Sequence, residues 1–232
     1  MTTFALIHGA GDGGWYWHLV EAELRSRGHR TVAPDLPADD DGATLTDYAD
    51  VVLEAVGDAD DLVVVGQSFG GFTAPLVAAR QPSSALVLVA GMVPLPGEAP
   101  QAWWDATGHQ AAVQAQAAAD GGLSSSDDPL IRYYHDVPPT LAAAALRRTR
   151  AHPSTAAYVR PWPLDAWPDV PTRFVLGTRD RLLPAAFLRR VVRERLGITA
   201  EELDGGHCPA LGHPQQLAAL LASSVMIGSE SS

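Results

Sequence analysis

The chain has 232 residues, 47% of them hydrophobic, a formal charge of −11, and 16 basic residues, all of them arginine. That length suits one large α/β domain with a core of its own. Several things are excluded: no apolar run nears the roughly 20 residues of a membrane span, the single cysteine, Cys208, allows no intrachain disulfide, and a chain without lysine forms no lysine Schiff base.

Phe4–Ile7 is a short apolar run ahead of the glycine-rich His8-Gly-Ala-Gly-Asp-Gly-Gly14, which predicts a strand running into a loop. It is too short for a signal-peptide core and lacks a basic flank, so with one cysteine the expectation is a cytoplasmic protein. Trp15 to Arg27 has helical apolar spacing and stops at Gly28, and Thr31–Ala33 reads as a second strand. Between Asp35 and Asp61 stand ten acidic residues and no basic one. This is a solvated face that repels nucleic acid and anionic membranes, so neither is an expected partner.

Thr46–Val56 predicts a helix, and Leu62-Val-Val-Val65 a central strand apolar on both faces. A helix follows from Phe72 to Arg80, then a buried strand from Ala85 to Ala90. Residues 97–168 break this alternation, being rich first in Ala and Gln, then in Pro. Helices are predicted there at Gln110–Ala119 and Leu141–Arg150, and the segment reads as an inserted helical lid on a core of residues 1–96 and 169–232. The core resumes with a strand at Thr172–Leu176, a helix at Pro184–Leu196, a strand near Thr199–Leu203 and a helix at Gln215–Ile227. The arginines at 147–150 and 189–195 lack interleaved aromatics and read as helix faces. The fold class is α/β: a mostly parallel central sheet, helices on both faces, and a small helical lid.

Gly66-Gln67-Ser68-Phe69-Gly70 matches G-x-S-x-G between a predicted strand and a predicted helix, the turn that exposes a serine oxygen. Serine needs a base to take its proton. Of eight histidines, His207 in Gly205-Gly-His207 follows the last predicted strand, at the sheet's catalytic edge; His213, opening the last helix, is the rival. Asp180, at the end of the preceding strand, supplies the acid that holds the base's tautomer. Asp165 and Asp169 precede that strand at its wrong end, and Asp204 is close to His207 in sequence for facing geometry. The amides of Ala10 and Phe69 are the candidate oxyanion donors. Trp103, Trp104, Trp162 and Trp167 in the insertion either wall a substrate pocket or anchor the lid to the core. Cys208, beside His207, reads as a small buried residue rather than a thiol nucleophile.

These motifs, His8-Gly-Ala, Gly-Gln-Ser68-Phe-Gly-Gly, Gly177-Thr-Arg-Asp180 and Gly-Gly-His207, resemble the α/β-hydrolase superfamily. The opening Phe4-Ala-Leu-Ile-His-Gly-Ala with Gly14-Trp-Tyr-Trp17 is similar to its branch of plant methyl esterases and hydroxynitrile lyases. The resemblance implies a Ser68–His207–Asp180 triad, oxyanion amides at Ala10 and Phe69, no metal and no organic cofactor. The lyases of that branch also use a lysine and a loop threonine; here lysine is absent and Gly9-Ala10 occupies the loop, which disfavours cyanohydrin cleavage. The leading expectation is hydrolysis of a small, largely apolar carboxylic ester. Lactone, thioester or carbon–carbon cleavage by the same triad, and ligand binding without turnover, are the alternatives.

Overall fold

Short leucine- and β-branched runs form a single sheet in the computed structural model, which describes residues 1–150 and 153–223. Its strands are β1 (Thr3–Ile7), β2 (Arg30–Val32), β3 (Leu62–Gln67), β4 (Ala85–Val89), β5 (Thr172–Gly177) and β6 (Glu201–Leu203). They lie in the order β2-β1-β3-β4-β5-β6, each parallel to its neighbour. The helices are α1 (His18–Ser26), α2 (Leu45–Val56), α3 (Gly70–Ala78), α4 (Pro100–Ala106), α5 (His109–Asp120), α6 (Pro129–Arg132), α7 (Pro139–Leu146), α8 (Thr155–Val159), α9 (Ala185–Leu196), α10 (Pro209–Gly212) and α11 (Pro214–Ala222).

Alternation along each strand sends successive side chains to opposite faces, and two cores result. Phe4, Leu6, Val63, Val65, Val87 and Val89 pack with Val20 and Leu24 of α1 and Leu217 and Leu221 of α11. Ala5, Ile7, Val64, Leu86 and Leu88 face the other way, onto Val52 of α2, Phe72 of α3 and Leu188 of α9. A sheet covered on both faces needs strands without a polar side, and β1, β3 and β4 are buried throughout. The acidic stretch is indeed solvated: Asp39, Asp40, Asp41, Asp47 and Asp50 are all exposed.

Strand order reverses direction at β1, whose neighbours are β2 and β3. Such a switch point leaves a crevice beyond the carboxyl ends of the strands. Ile7 pairs with Gly66 across it, so the loop after β1 lies beside the turn after β3.

Several boundaries differ from expectation. The predicted helix at Trp15 begins as a 3-10 turn, Gly14–Trp17, before α1. The first residues of α2 are held by a capping box in which Thr44 and Asp47 bond each other's backbone. The helix predicted to Arg150 ends at Leu146, because the Arg150 amide turns away to donate to Gly11 O at 2.9 Å. Helices α4, α6 and α8, each a turn or two long, carried no periodic signal. The last predicted helix is observed as Pro214–Ala222; its predicted portion beyond residue 223 lies outside the described residues.

Candidate active site

The turn after β3 is sterically forced. Ser68 holds φ at 50°, in the left-handed region that L-residues avoid. Its amide donates to Val89 O at 3.2 Å, and its carbonyl accepts from Met92 N at 2.8 Å and Gly71 N at 3.0 Å. A side chain at Gly66 would lie 2.6 Å from Gly70 O, and one at Gly71 would collide with Met92 O. Those glycines let β3 pass directly into α3 with the serine hydroxyl projecting at the bend.

Asp180 and His207 come from the loops after β5 and β6, and the sheet brings both to Ser68. His207 Nε2 lies 3.1 Å from Ser68 Oγ, and His207 Nδ1 lies 2.8 Å from Asp180 Oδ2. Asp180 is fully buried, and its Oδ1 accepts from the amides of Leu182 and Leu183, both at 2.8 Å. With the carboxylate so held, Nδ1 carries the imidazole proton and Nε2 is left to accept from the hydroxyl. The chain Asp180–His207–Ser68 can therefore draw a proton off the serine.

The rival acids lie elsewhere. Asp165 and Asp169 are exposed, and Asp204 is an exposed partner of Arg179, 2.9 Å from its Nε. His213 bonds Asp136 Oδ2 at 3.0 Å rather than Ser68. Asp136, in the insertion, also accepts the Gly206 amide at 2.6 Å, so it holds the residue preceding His207. Gln67 Nε2 donates to His207 O at 3.2 Å and fixes the same loop from the other side. Sequence reasoning overlooked Asp136 and Gln67. Gln67 stands at the variable position of G-x-S-x-G, and Asp136 acts across 70 residues.

The loop after β1 is equally constrained. His8 Nδ1 donates to Gly9 O at 2.8 Å while its Nε2 accepts the Leu36 amide at 3.1 Å, so the buried ring is satisfied as the neutral tautomer. Burial holds its pKa below the ordinary imidazole value, despite the Gly9 hydrogen bond. Arg150 then ties this loop to the insertion, through Gly11 O and through a side-chain bond to Asp39 at 2.6 Å. Neither the Ala10 nor the Phe69 amide donates to a backbone carbonyl outside the regular elements of the described residues. Both residues border the cavity beside Ser68.

That cavity has a volume of about 510 Å³, within the usual size of small-molecule sites. Ser68, Phe69, Met92 and His207 border it, as do Trp104 and Tyr133 from the segment between β4 and β5. Tyr133 meets His207 edge to face, with ring centres 6.1 Å apart. Of the four tryptophans expected to wall a pocket or anchor a lid, only Trp104 borders the cavity. Trp103, Trp162 and Trp167 instead donate their indole N–H groups to Val93 O, Phe72 O and Pro94 O at 3.0, 2.9 and 2.9 Å. A large ring with one polar atom does well where that atom can reach a core carbonyl, and these three take the anchoring role. Cys208 borders the cavity but is buried, and that burial pushes its thiol well above the usual range, so it offers no thiolate.

Comparison with known proteins identifies the family. Residues 4–220 match the model of the alpha/beta hydrolase family. Methylesterase 7 of Arabidopsis thaliana is 27% identical, the match covering 94% of each chain. The probable esterase PIR7A of Oryza sativa subsp. indica is 36% identical over 41% of each. The crystal structure of a pyrethroid hydrolase from Sphingobium faniae JZ-2 superposes with a TM-score of 0.76 at 22% identity, covering 99% of both chains. The chain thus belongs to the alpha/beta hydrolase family, as a carboxylesterase-like hydrolase.

Proposed function

We propose that the protein hydrolyses small, largely apolar carboxylic esters through an acyl-enzyme on Ser68, with residues 97–168 acting as the lid of the site. The observation that carries this reading is the hydrogen-bonded run from buried Asp180 through His207 to Ser68, ending on a strained residue that borders a cavity.

In the first half-reaction Ser68 Oγ attacks the ester carbonyl carbon and its proton passes to His207 Nε2. Asp180 stabilises the imidazolium. The carbonyl oxygen gains the negative charge and accepts the N–H groups of Ala10 and Phe69. The C–O bond to the alcohol then breaks, and the proton on His207 goes to the leaving oxygen. In the second half a water attacks the acyl carbon, His207 takes its proton and returns it to Ser68, and the acid departs. The aromatic and aliphatic walls at Phe69, Met92 and Trp104 favour an apolar substrate, and the named esterase relatives are consistent with an ester bond.

The test is twofold. A fluorophosphonate should label the protein at Ser68, and a panel of p-nitrophenyl esters should give a burst equal to the enzyme concentration. A parallel panel of lactones and thioesters identifies the favoured bond. Absence of labelling together with absence of turnover on every panel would overturn the serine-hydrolase reading.

A further inference from the structure

Among the described residues that border the cavity, Asp12 is the sole carboxylate. It lies in the loop after β1, two residues beyond the Ala10 amide, and keeps part of its surface accessible. It makes no hydrogen bond and no ion pair among the described residues. Every other acid at this site is engaged: Asp180 by His207, Leu182 and Leu183, Asp136 by Gly206 and His213. A carboxyl removed from bulk water without a partner is costly to hold. Nothing in the catalytic chain uses it, and a negative charge near the developing oxyanion opposes the first step. Its placement makes chemical sense where a substrate group completes it.

We infer that Asp12 is a specificity residue whose carboxylate accepts a hydrogen bond from an O–H or N–H donor on the substrate, a hydroxyl or a protonated amine, carried away from the ester. This deepens the ester-hydrolase reading and rests on it. The preferred substrate is then an ester of apolar body with one donor group, and esters bearing a free carboxylate are disfavoured by like charge. The same repulsion speeds departure of the acid product. Tyr134, which also borders the cavity, is a second polar group on that side, and the charge of Asp12 opposes ionisation of its hydroxyl.

The titration of the carboxyl agrees with the geometry. Burial pushes Asp12 up to about 7, against the opposing pull of His207. Among the described residues, His207, Tyr16, Tyr134 and Cys208 interact electrostatically with it. Of these, the last three stay neutral near neutral pH because burial raises each of them. Preference for a donor therefore strengthens as pH rises through about 7 and Asp12 ionises.

The experiment compares kcat/KM on matched aryl esters of short and medium chain length, each ending in methyl, hydroxyl, amino or carboxylate, with the terminal group placed on the acyl side in one series and on the alcohol side in another. The readout is the ratio within a matched set, in which any uniform loss and the protonation of His207 cancel. Wild type should favour at least one donor-bearing ester over its methyl partner by about tenfold to a hundredfold, the range of a hydrogen bond to a charged group. Asp12→Leu should abolish that ratio, and Asp12→Asn should abolish its rise with pH. The hydroxyl and amino arms show which donor is taken. Fluorophosphonate labelling of each variant verifies an assembled site, and Asp12→Asn carries the test should Asp12→Leu fail to fold. Labelling of wild type with equal rates across every matched set would overturn the Asp12 assignment alone. A ratio that survives in both variants would overturn it as well. Loss of labelling in wild type would overturn the hydrolase reading instead.

Discussion

The two sides of the cavity are built by different means. On the core side, the groups that face Ser68 sit on short loops at the carboxyl ends of parallel strands, held by backbone hydrogen bonds, by steric necessity at the Ser68 turn, and at His207 by the side chains of Asp136 and Gln67. Ser68 itself is held in a left-handed conformation by its bonds to Val89, Met92 and Gly71. On the insertion side, small helices present apolar and aromatic groups and are fastened down by side chains. Three indoles bond core carbonyls, and Arg195, on α9, grips Glu98 through two hydrogen bonds of 2.5 and 2.9 Å, with both side chains 9% exposed. The first side is set chiefly by the sheet and the turns at its edge; the other depends mostly on its individual side-chain fastenings. Damage to the first should therefore appear in turnover, and damage to the second in stability or substrate range.

The sharpest break of that division is Ser68→Ala, which should lower kcat by about four to six orders of magnitude and remove fluorophosphonate labelling while leaving the melting temperature nearly unchanged. Next is Asp180→Asn, expected to cost about three to four orders in kcat because the wrong histidine tautomer is favoured. Slow labelling of Ser68 should persist in that variant, and near-normal turnover would show that another acid serves.

On the insertion side, Glu98→Ala leaves the Arg195 guanidinium buried without its carboxylate, and should destabilise the fold by about 3–5 kcal/mol in urea unfolding. A smaller contrast comes from two tryptophans. Trp162→Phe removes the bond to Phe72 O and should cost about 1 kcal/mol of stability with little change in KM. Trp104→Ala should instead shift KM across a series of acyl chain lengths. If both behaved alike, the distinction between cavity wall and fastening would fail.

The smallest effect concerns pH. The neutral, buried His8 and His109 resist protonation in the fold, burial being the largest cause for both. Below the ordinary imidazole value of about 6.5 the unfolded chain takes up protons that these rings refuse. Stability from this source is complete above that value and is lost as pH falls through it. Asp12 works in the opposite direction: its raised pKa favours the fold at low pH and withdraws that support as pH climbs through about 7. Calorimetry across this range should show a decline of a few degrees on acidification, steeper in Asp12→Asn.

How far the chain could be read follows from the reach of each signal. Strands such as Leu62–Val65 and Ala85–Val89 announce themselves by composition, because burial on both faces demands apolar residues at every position. The elbow at Ser68 is local as well, since its geometry needs small residues at fixed offsets. Less legible was the insertion: helices of four to seven residues such as α4, α6 and α8 carry too few turns for a periodic signal. The tryptophans divided between cavity wall and anchor according to which carbonyl lay within reach, and spacing along the chain is silent on that.

Local chemistry in the sequence was thus enough for the class of fold, the mostly parallel sheet implied by alternation, and the residue types of the Ser68, His207 and Asp180 set, because each rests on a pattern spanning a few neighbours. Tertiary structure alone decided that Asp136 grips the loop of His207, that Arg150 leaves its helix to hold the loop after β1, and that Asp12 reaches the cavity without a partner among the described residues. Those outcomes depend on distances between segments remote in the chain, and a distance of that kind exists only after the sheet has assembled.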